Sequence, residues 1–214
     1  MPFIAFEGLD GSGKSTLMNL LETQLKKNQK TVVRTREPGG TPLGEELREI
    51  ILRTSGESPT PRAELLLYQA IRAQHVDQKI RPALEKKQWV LTDRFSASSV
   101  AFQAGGRSIS ENDVVWLNQF STNDLQPDLT VLLDLSVEKS EARRQQREHS
   151  TGIQSDRIEN EKREFHQRVR DSFLRQAKQQ AQSWLVLDAE KPTEELFQLV
   201  WSELEGRAWL SSLL

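Results

Sequence analysis

Gly8-Leu9-Asp10-Gly11-Ser12-Gly13-Lys14-Ser15-Thr16 is the stretch from which the rest of this 214-residue chain can be read. It matches the pattern G-x-x-x-x-G-K-[ST], and its surroundings give that pattern physical meaning. The apolar run Phe3-Ile4-Ala5-Phe6 before it suits a buried strand. Leu17, Leu20, Leu21 and Leu25 after it are spaced as one face of a helix. A glycine-rich turn between strand and helix can curl its N–H groups around a polyphosphate at the positive helix end. Glycines are needed there because the curl uses backbone angles closed to other residues. Lys14 adds a cation near the transferable phosphate, and the Ser15 hydroxyl suits a Mg²⁺ ligand. The expectation is a nucleotide-phosphate site formed by Gly8 through Thr16. The bland alternative is a structural turn that binds nothing.

Outward from this loop, strands and helices alternate, which predicts a parallel sheet with helices on both faces. Thr31-Val32-Val33-Arg34-Thr35, Trp89-Val90-Leu91-Thr92, Leu129-Thr130-Val131-Leu132-Leu133 and Trp184-Leu185-Val186-Leu187 are the further strands. Leu43, Leu47, Ile50 and Ile51 mark a short helix, and a longer one runs from about Arg62 to Glu85. Asp113 to Phe120 reads as helix. Phe165, Val169, Phe173 and Ala177 stripe a charged helix, and Phe197, Val200, Trp201 and Leu204 stripe the closing one. The fold expected is an α/β three-layer sandwich of the P-loop NTPase type, with five parallel strands, in a single domain over residues 1–214. The apolar tail from Trp209 to Leu214 is expected to pack on the body or on a partner.

The 29 basic and 31 acidic residues leave a net charge of −2, so nothing draws the chain as a whole to nucleic acid or membrane. Cationic chemistry must therefore be local. With no cysteine there is neither a disulfide framework nor a thiolate metal site. No apolar run is long enough to span a bilayer, and the N-terminus lacks the layout of a signal peptide, which points to the cytoplasm.

Ligands of such sheets lie beyond the carboxyl ends of the strands. Three strand ends are unusual here: Arg36-Glu37-Pro38-Gly39-Gly40-Thr41-Pro42, Asp93-Arg94-Phe95, and Asp134 leading into the arginines at 143, 144 and 147. Together with the loop Glu7-Gly8-Leu9-Asp10-Gly11-Ser12-Gly13-Lys14, these segments closely resemble the thymidylate kinase family. So do Arg72-Ala73-Gln74-His75, Ser98, Gln103 and Arg107, and Asp156-Arg157-Ile158-Glu159, all in the family's order. The resemblance covers nearly the whole chain. It implies transfer of the γ-phosphoryl group of ATP to dTMP, giving dTDP for dTTP synthesis, with Mg²⁺ as cofactor. It also implies a homodimer, formed through helices near Asp93–Ala104 and Arg62–Glu85.

Residue by residue, the resemblance gives Arg48 and Arg94 to the acceptor phosphate, with Arg94 between acceptor and donor. Tyr68, where the family usually has Phe, would stack on thymine, and Arg72 would reach a base carbonyl. Spacing agrees that Tyr68 and Arg72 share a helix face, though a core tyrosine beside a solvent-facing arginine has the same spacing. Asp10 is placed near the acceptor nucleotide. Phe102 stands where the family commonly has Tyr, and would crowd the sugar's 2′ side by bulk alone; Ser98 would bond the base edge, and Gln103 would complete the site. Asp93, with Ser15, could hold Mg²⁺ or its waters, or could pair with Arg94.

Some members carry an arginine inside the phosphate loop, at the position of Gly11 here. The other subgroup, mostly bacterial, supplies that charge from a flexible lid. Residues 143–157 fit a lid, with Arg147 and Arg143 as the cations expected to stabilise the transferring group alongside Lys14, Arg94 and Asp10. A solvated helix face is the alternative. Arg157 could instead be structural, paired to Asp156. Two other activities were weighed. Glu37-Pro38 at a strand end also fits a deoxynucleoside kinase, in which the glutamate would act as base. A GTPase switch would need an N-K-x-D element, which is missing.

Overall fold

Every position of Phe3–Glu7 (β1) is buried, as a strand covered on both faces requires. The other strands are Val32–Arg36 (β2), Trp89–Asp93 (β3), Leu129–Asp134 (β4) and Trp184–Asp188 (β5). In this computed structural model, which describes residues 1–210, they form one sheet in the order β2-β3-β1-β4-β5. All four pairings are parallel, so every strand ends on the same edge. The order reverses between β3 and β4, on either side of β1, which places the loop after β1 at the crevice of the sheet.

The helices are Lys14–Lys27 (α1), Pro42–Leu52 (α2), Pro61–His75 (α3), Arg81–Glu85 (α4), Ser96–Ser99 (α5), Glu111–Thr122 (α6), Val137–Thr151 (α7), Arg163–Gln179 (α8) and Thr193–Gly206 (α9). Alternation along β1 sends Ile4 and Phe6 to one face and Phe3 and Ala5 to the other. Ile4 and Phe6 pack under α1 and α9, against Leu17, Met18, Leu21, Val200 and Leu204. Phe3 and Ala5 pack with Val76, Ile80, Val90 and Phe95. The expected stripe of α8 is buried whole, with Phe165, Val169, Phe173 and Ala177 against Leu132 and Trp184. Each such side chain removed from water contributes roughly 1.5–3 kcal/mol.

Three expectations change in detail. Met18, not Leu20, completes the buried stripe of α1, and Leu20 faces out. On α2 only Ile51 of the four apolar residues is buried, while Leu43 and Ile50 are exposed. The helix expected over 62–85 is continuous but widens into a π turn at Val76–Ile80, where the Arg81 N–H reaches back to the Val76 carbonyl. Pro82 follows at once; it lacks an N–H, and its ring would crowd the carbonyl four residues back, so the wider turn relieves it. Of the tail, Trp209 packs edge-on to Trp89 and Leu210 lies against the same core; residues 211–214 fall outside those described.

Candidate active site

The glycine-rich loop joins β1 to α1 as expected. Gly13 caps α1 in the left-handed conformation with no side-chain hydrogen bond, so the first-turn N–H groups are left for a ligand. Lys14 is buried, and its Nζ donates to the carbonyls of Gly8 and Leu9, both at 3.2 Å. Ser15 is exposed, and its Oγ lies 3.5 Å from Asp93 Oδ2. Asp93 Oδ1 and Ser12 Oγ are buried without a hydrogen-bond partner among the described residues. A hydroxyl beside one oxygen of a carboxylate whose other oxygen lacks a partner fits the oxygen ligands that Mg²⁺ requires.

Across the crevice lies a cleft of about 720 Å³, counting the open space at its mouth. All eight residues expected around the acceptor line it: Glu37, Arg48, Tyr68, Arg72, Arg94, Ser98, Phe102 and Gln103. Asp10 and Asp93 line it too, so the cleft opens onto the phosphate loop. Arg94 spans the junction. Its Nη2 donates to Asp10 Oδ1 at 2.8 Å, its Nη1 to Ser98 Oγ at 3.3 Å, and its guanidinium lies 4.9 Å over the Phe102 ring. Burial pushes the Asp10 carboxyl up, but Arg94 and Lys14 outweigh it and hold Asp10 well below the usual carboxylate range.

Arg72 is almost wholly enclosed. Its Nε donates to Glu37 at 2.8 Å, its Nη1 to Asn118 at 2.7 Å and Ser99 at 2.9 Å, and its Nη2 to the Phe95 carbonyl at 3.1 Å. Of the five N–H donors of a guanidinium, one on Nη2 remains for a ligand. Glu37 is engaged on both oxygens, by Arg72 and by His75 Nδ1 at 3.0 Å. Burial raises its pKa, yet Arg72 and His75 prevail and lower it. Arg48 donates to the Pro38 carbonyl at 2.7 Å, and Gln103 to Glu64 at 3.1 Å. The Ser98 proton goes to Glu7 at 2.6 Å.

The arginines expected of a lid sit on α7 and the loop after it. A Cβ at Gly11, which has φ +79°, would lie 3.1 Å from the Arg143 Cβ and 3.2 Å from the Ser140 carbonyl. The bare glycine thus lets α7 lie directly on the phosphate loop. Arg143 donates to the Gly11 carbonyl at 3.2 Å and to that of Ala189 at 3.0 Å. Arg144 is buried and donates to the Glu159 carbonyl. Arg147 Nη2 bridges both carboxylate oxygens of Glu159 at 2.8 and 2.9 Å. Arg157 pairs with Glu64 at 2.6 Å rather than with Asp156, whose Oδ1 accepts the N–H groups of Ile158 and Glu159.

Three carboxylates matter here that sequence reasoning passed over. Glu64 gathers Arg107, Arg157 and Gln103. Glu159 holds Arg147, and Glu7 braces the turn after β3. Only Glu7 offered a signal, as an acid closing an otherwise apolar strand.

A parallel sheet with a phosphate loop after its central strand, facing an arginine-rich second cleft, defines a P-loop nucleotide kinase. A family model described as thymidylate kinase matches residues 6–200. A thymidylate kinase of Bdellovibrio bacteriovorus is 60% identical over 207 residues, 97% of each chain. One from Leifsonia xyli is 47% identical, over 96% of this chain and 95% of the relative. The crystal structure of thymidylate kinase from Ehrlichia chaffeensis superposes with a TM-score of 0.76 at 31% identity, covering 95% of this chain and 98% of that one. The chain belongs to the thymidylate kinase family, and its reaction is the ATP-dependent phosphorylation of dTMP to dTDP.

Proposed function

We propose that dTMP occupies the cleft between α3 and the segment 94–103, and that ATP lies on the loop from Gly8 to Thr16. Tyr68 stacks on thymine, Arg72 offers its remaining N–H to the base, Phe102 bounds the sugar, and Arg48 and Arg94 take the acceptor phosphate. The observation that carries this reading is the gathering of all these groups in one cleft whose inner end is Arg94 bound to Asp10. Ser98 has given its proton to Glu7, so its role toward the base is to accept rather than donate. Lys14 and the lid arginines bear on the donor phosphates, which repel those of dTMP until cations lie between them. The lid, within residues 143–157, and the body form one kinase domain working in the cytoplasm. Among the described residues, no helix is long and apolar enough to cross a membrane.

Ser15 and Asp93 would hold Mg²⁺ directly or through water; the ion neutralises charge on the transferring phosphates. No general base is required. A nucleoside monophosphate has its second pKa near ~6, so the attacking oxygen is already ionised at neutral pH. Glu37, clamped by Arg72 and His75, orients Arg72 instead of taking a proton.

The subunits pair through α3 and α6. Segment 93–104 is mostly buried within the chain, whereas Leu66, Trp116 and Phe120 are exposed, with Trp116 stacked on Phe120 at 6.0 Å. A coupled ADP-release assay over a panel of monophosphates tests the acceptor site. Turnover should be greatest with dTMP and negligible with thymidine; preference for thymidine would restore Glu37 as a base and overturn the reading.

A further inference from the structure

We propose that Glu7 is a positioning residue for phosphoryl transfer, its buried carboxylate bracing the turn after β3 so that Arg94 points across the gap between the two phosphate sites. The proposal rests on the role given to Arg94 above. Glu7 touches neither nucleotide cleft through solvent: it is fully buried at the end of β1, one residue before the phosphate loop. Its Oε1 accepts the Phe95 N–H at 2.9 Å, its Oε2 accepts the Ser98 hydroxyl at 2.6 Å, and Arg94 Nη1 lies 3.9 Å from Oε2.

Arg94 needs bracing. Its φ of +70° is a left-handed conformation that a side-chain-bearing residue adopts only where its surroundings impose it. The restraints are few and specific. The Arg94 N–H donates to the Phe6 carbonyl at 2.9 Å, the Thr92 hydroxyl donates to the Arg94 carbonyl at 2.9 Å, and Glu7 takes the next N–H along the chain. Removing the carboxylate strands a buried N–H and leaves the turn free to relax.

The second effect is one of polarity. Above the raised value of its carboxyl, about 7, Glu7 is ionised and only accepts, so in that range, where the kinetics are to be read, Ser98 must spend its proton on Glu7. The Ser98 lone pairs are then turned toward Arg94, whose Nη1 donates to them at 3.3 Å. A glutamine at this position could still accept the Phe95 N–H through its carbonyl. Its NH₂ would then donate to Ser98, taking one of that hydroxyl's two lone pairs and releasing its proton from the Glu7 side. Glu7→Gln is therefore nearly isosteric yet reverses the hydrogen bond between residue 7 and Ser98, on which Arg94 leans, and removes the negative charge 3.9 Å from Arg94 Nη1.

Three variants, Glu7→Gln, Ser98→Ala and Arg94→Ala, with the double variant Glu7→Gln/Ser98→Ala, separate the possibilities. Steady-state kinetics with both substrates and thermal melts are read for each. Glu7→Gln is expected to lower kcat about tenfold or more with KM for ATP unchanged and melting not lowered, a split that general loosening of the fold would not give. Because the damage passes through Ser98, adding Ser98→Ala to Glu7→Gln should cost less than the product of the single effects. Parent-like kcat in Glu7→Gln, where Arg94→Ala has lowered it, overturns the role of Glu7 alone. Parent-like kcat in Arg94→Ala overturns the reading of Arg94 and this proposal with it. Should Glu7→Gln fail to fold, a Ser98→Ala variant with unchanged kcat would refute the polarity relay.

Discussion

Burial of Glu7 also makes a measurable demand on stability. Its carboxyl is pushed from an ordinary 4.5 up to about 7, chiefly by burial and against the pull of Arg94 and Lys14, the charged groups that face it. Below pH 4.5 the carboxyl is protonated in both folded and unfolded chains, and burial costs nothing. As pH rises the unfolded chain ionises first and draws the equilibrium toward itself. The loss is complete once pH exceeds the folded value. A displacement of this size corresponds to about 3 kcal/mol in full. Most of that, about 2 kcal/mol or more, falls between about pH 5 and about pH 8. Glu7→Gln does not titrate, so its stability relative to the parent should rise by that amount over the same interval, whatever its constant cost. The other titrating groups are shared by the two proteins and cancel, except Lys14, whose titration Glu7 itself raises. Urea denaturation of both, ligand-free and followed by tryptophan fluorescence, measures the gap at each pH. A gap that stays constant would mean that Glu7 ionises as a solvated carboxylate does, and the account of its environment would be wrong.

Three other perturbations bear on different parts of the molecule. Arg147→Ala should lower kcat about a hundredfold or more while leaving KM for dTMP within a few-fold; equal kcat in variant and parent removes that residue from the chemistry. Glu64→Ala leaves Arg107 and Arg157 largely buried without their carboxylate, at a cost of about 3 kcal/mol, and an unchanged melting temperature would show that the cluster is not stabilising. Trp116→Glu combined with Phe120→Glu puts charge on the exposed stacked pair. Sedimentation should report a dimer for the parent and a monomer for this variant; a monomeric parent would refute the pairing, and an unaltered dimer would move the interface elsewhere.

Most of the fold was legible because its signals are local. Each strand announces itself by a short apolar run, and parallel order follows from helices alternating with strands. The stripe of α8 was read in full since its four residues all face one layer. On α2 the same spacing misled: its apolar residues flank a helix at the rim of the cleft, and periodicity records that a face is apolar without saying that anything covers it. That Arg48, Tyr68, Arg72, Arg94 and Phe102 would line one cleft was legible through the motifs that resemble the family. Their supports were not. Glu7 meets Phe95 across 88 positions, and Glu64 meets Arg157 across 93, distances over which no pattern in the chain connects the pairs.

The arginines divide by how completely the protein has already used them, and that division bears on which can move. Arg72 has committed nearly every donor to buried oxygens, so pulling it away would strand Glu37 and Asn118. Arg157 and Arg107 share one buried carboxylate and hold the end of the lid loop to α3. Arg147 is different. It is about one-third exposed, its Nε lacks a partner among the described residues, and both oxygens it contacts belong to Glu159. A phosphate oxygen can replace a carboxylate oxygen for Arg147, so the exchange leaves the cation paired, while the buried Glu159 keeps only the Asp156 N–H at 3.2 Å. Arg143 has no such freedom, because it already bridges the Gly11 and Ala189 carbonyls at the edge of the phosphate loop. For the lid function proposed above, these contacts favour Arg147 as the cation that follows the transferring group, since Arg143 fastens α7 to the phosphate loop.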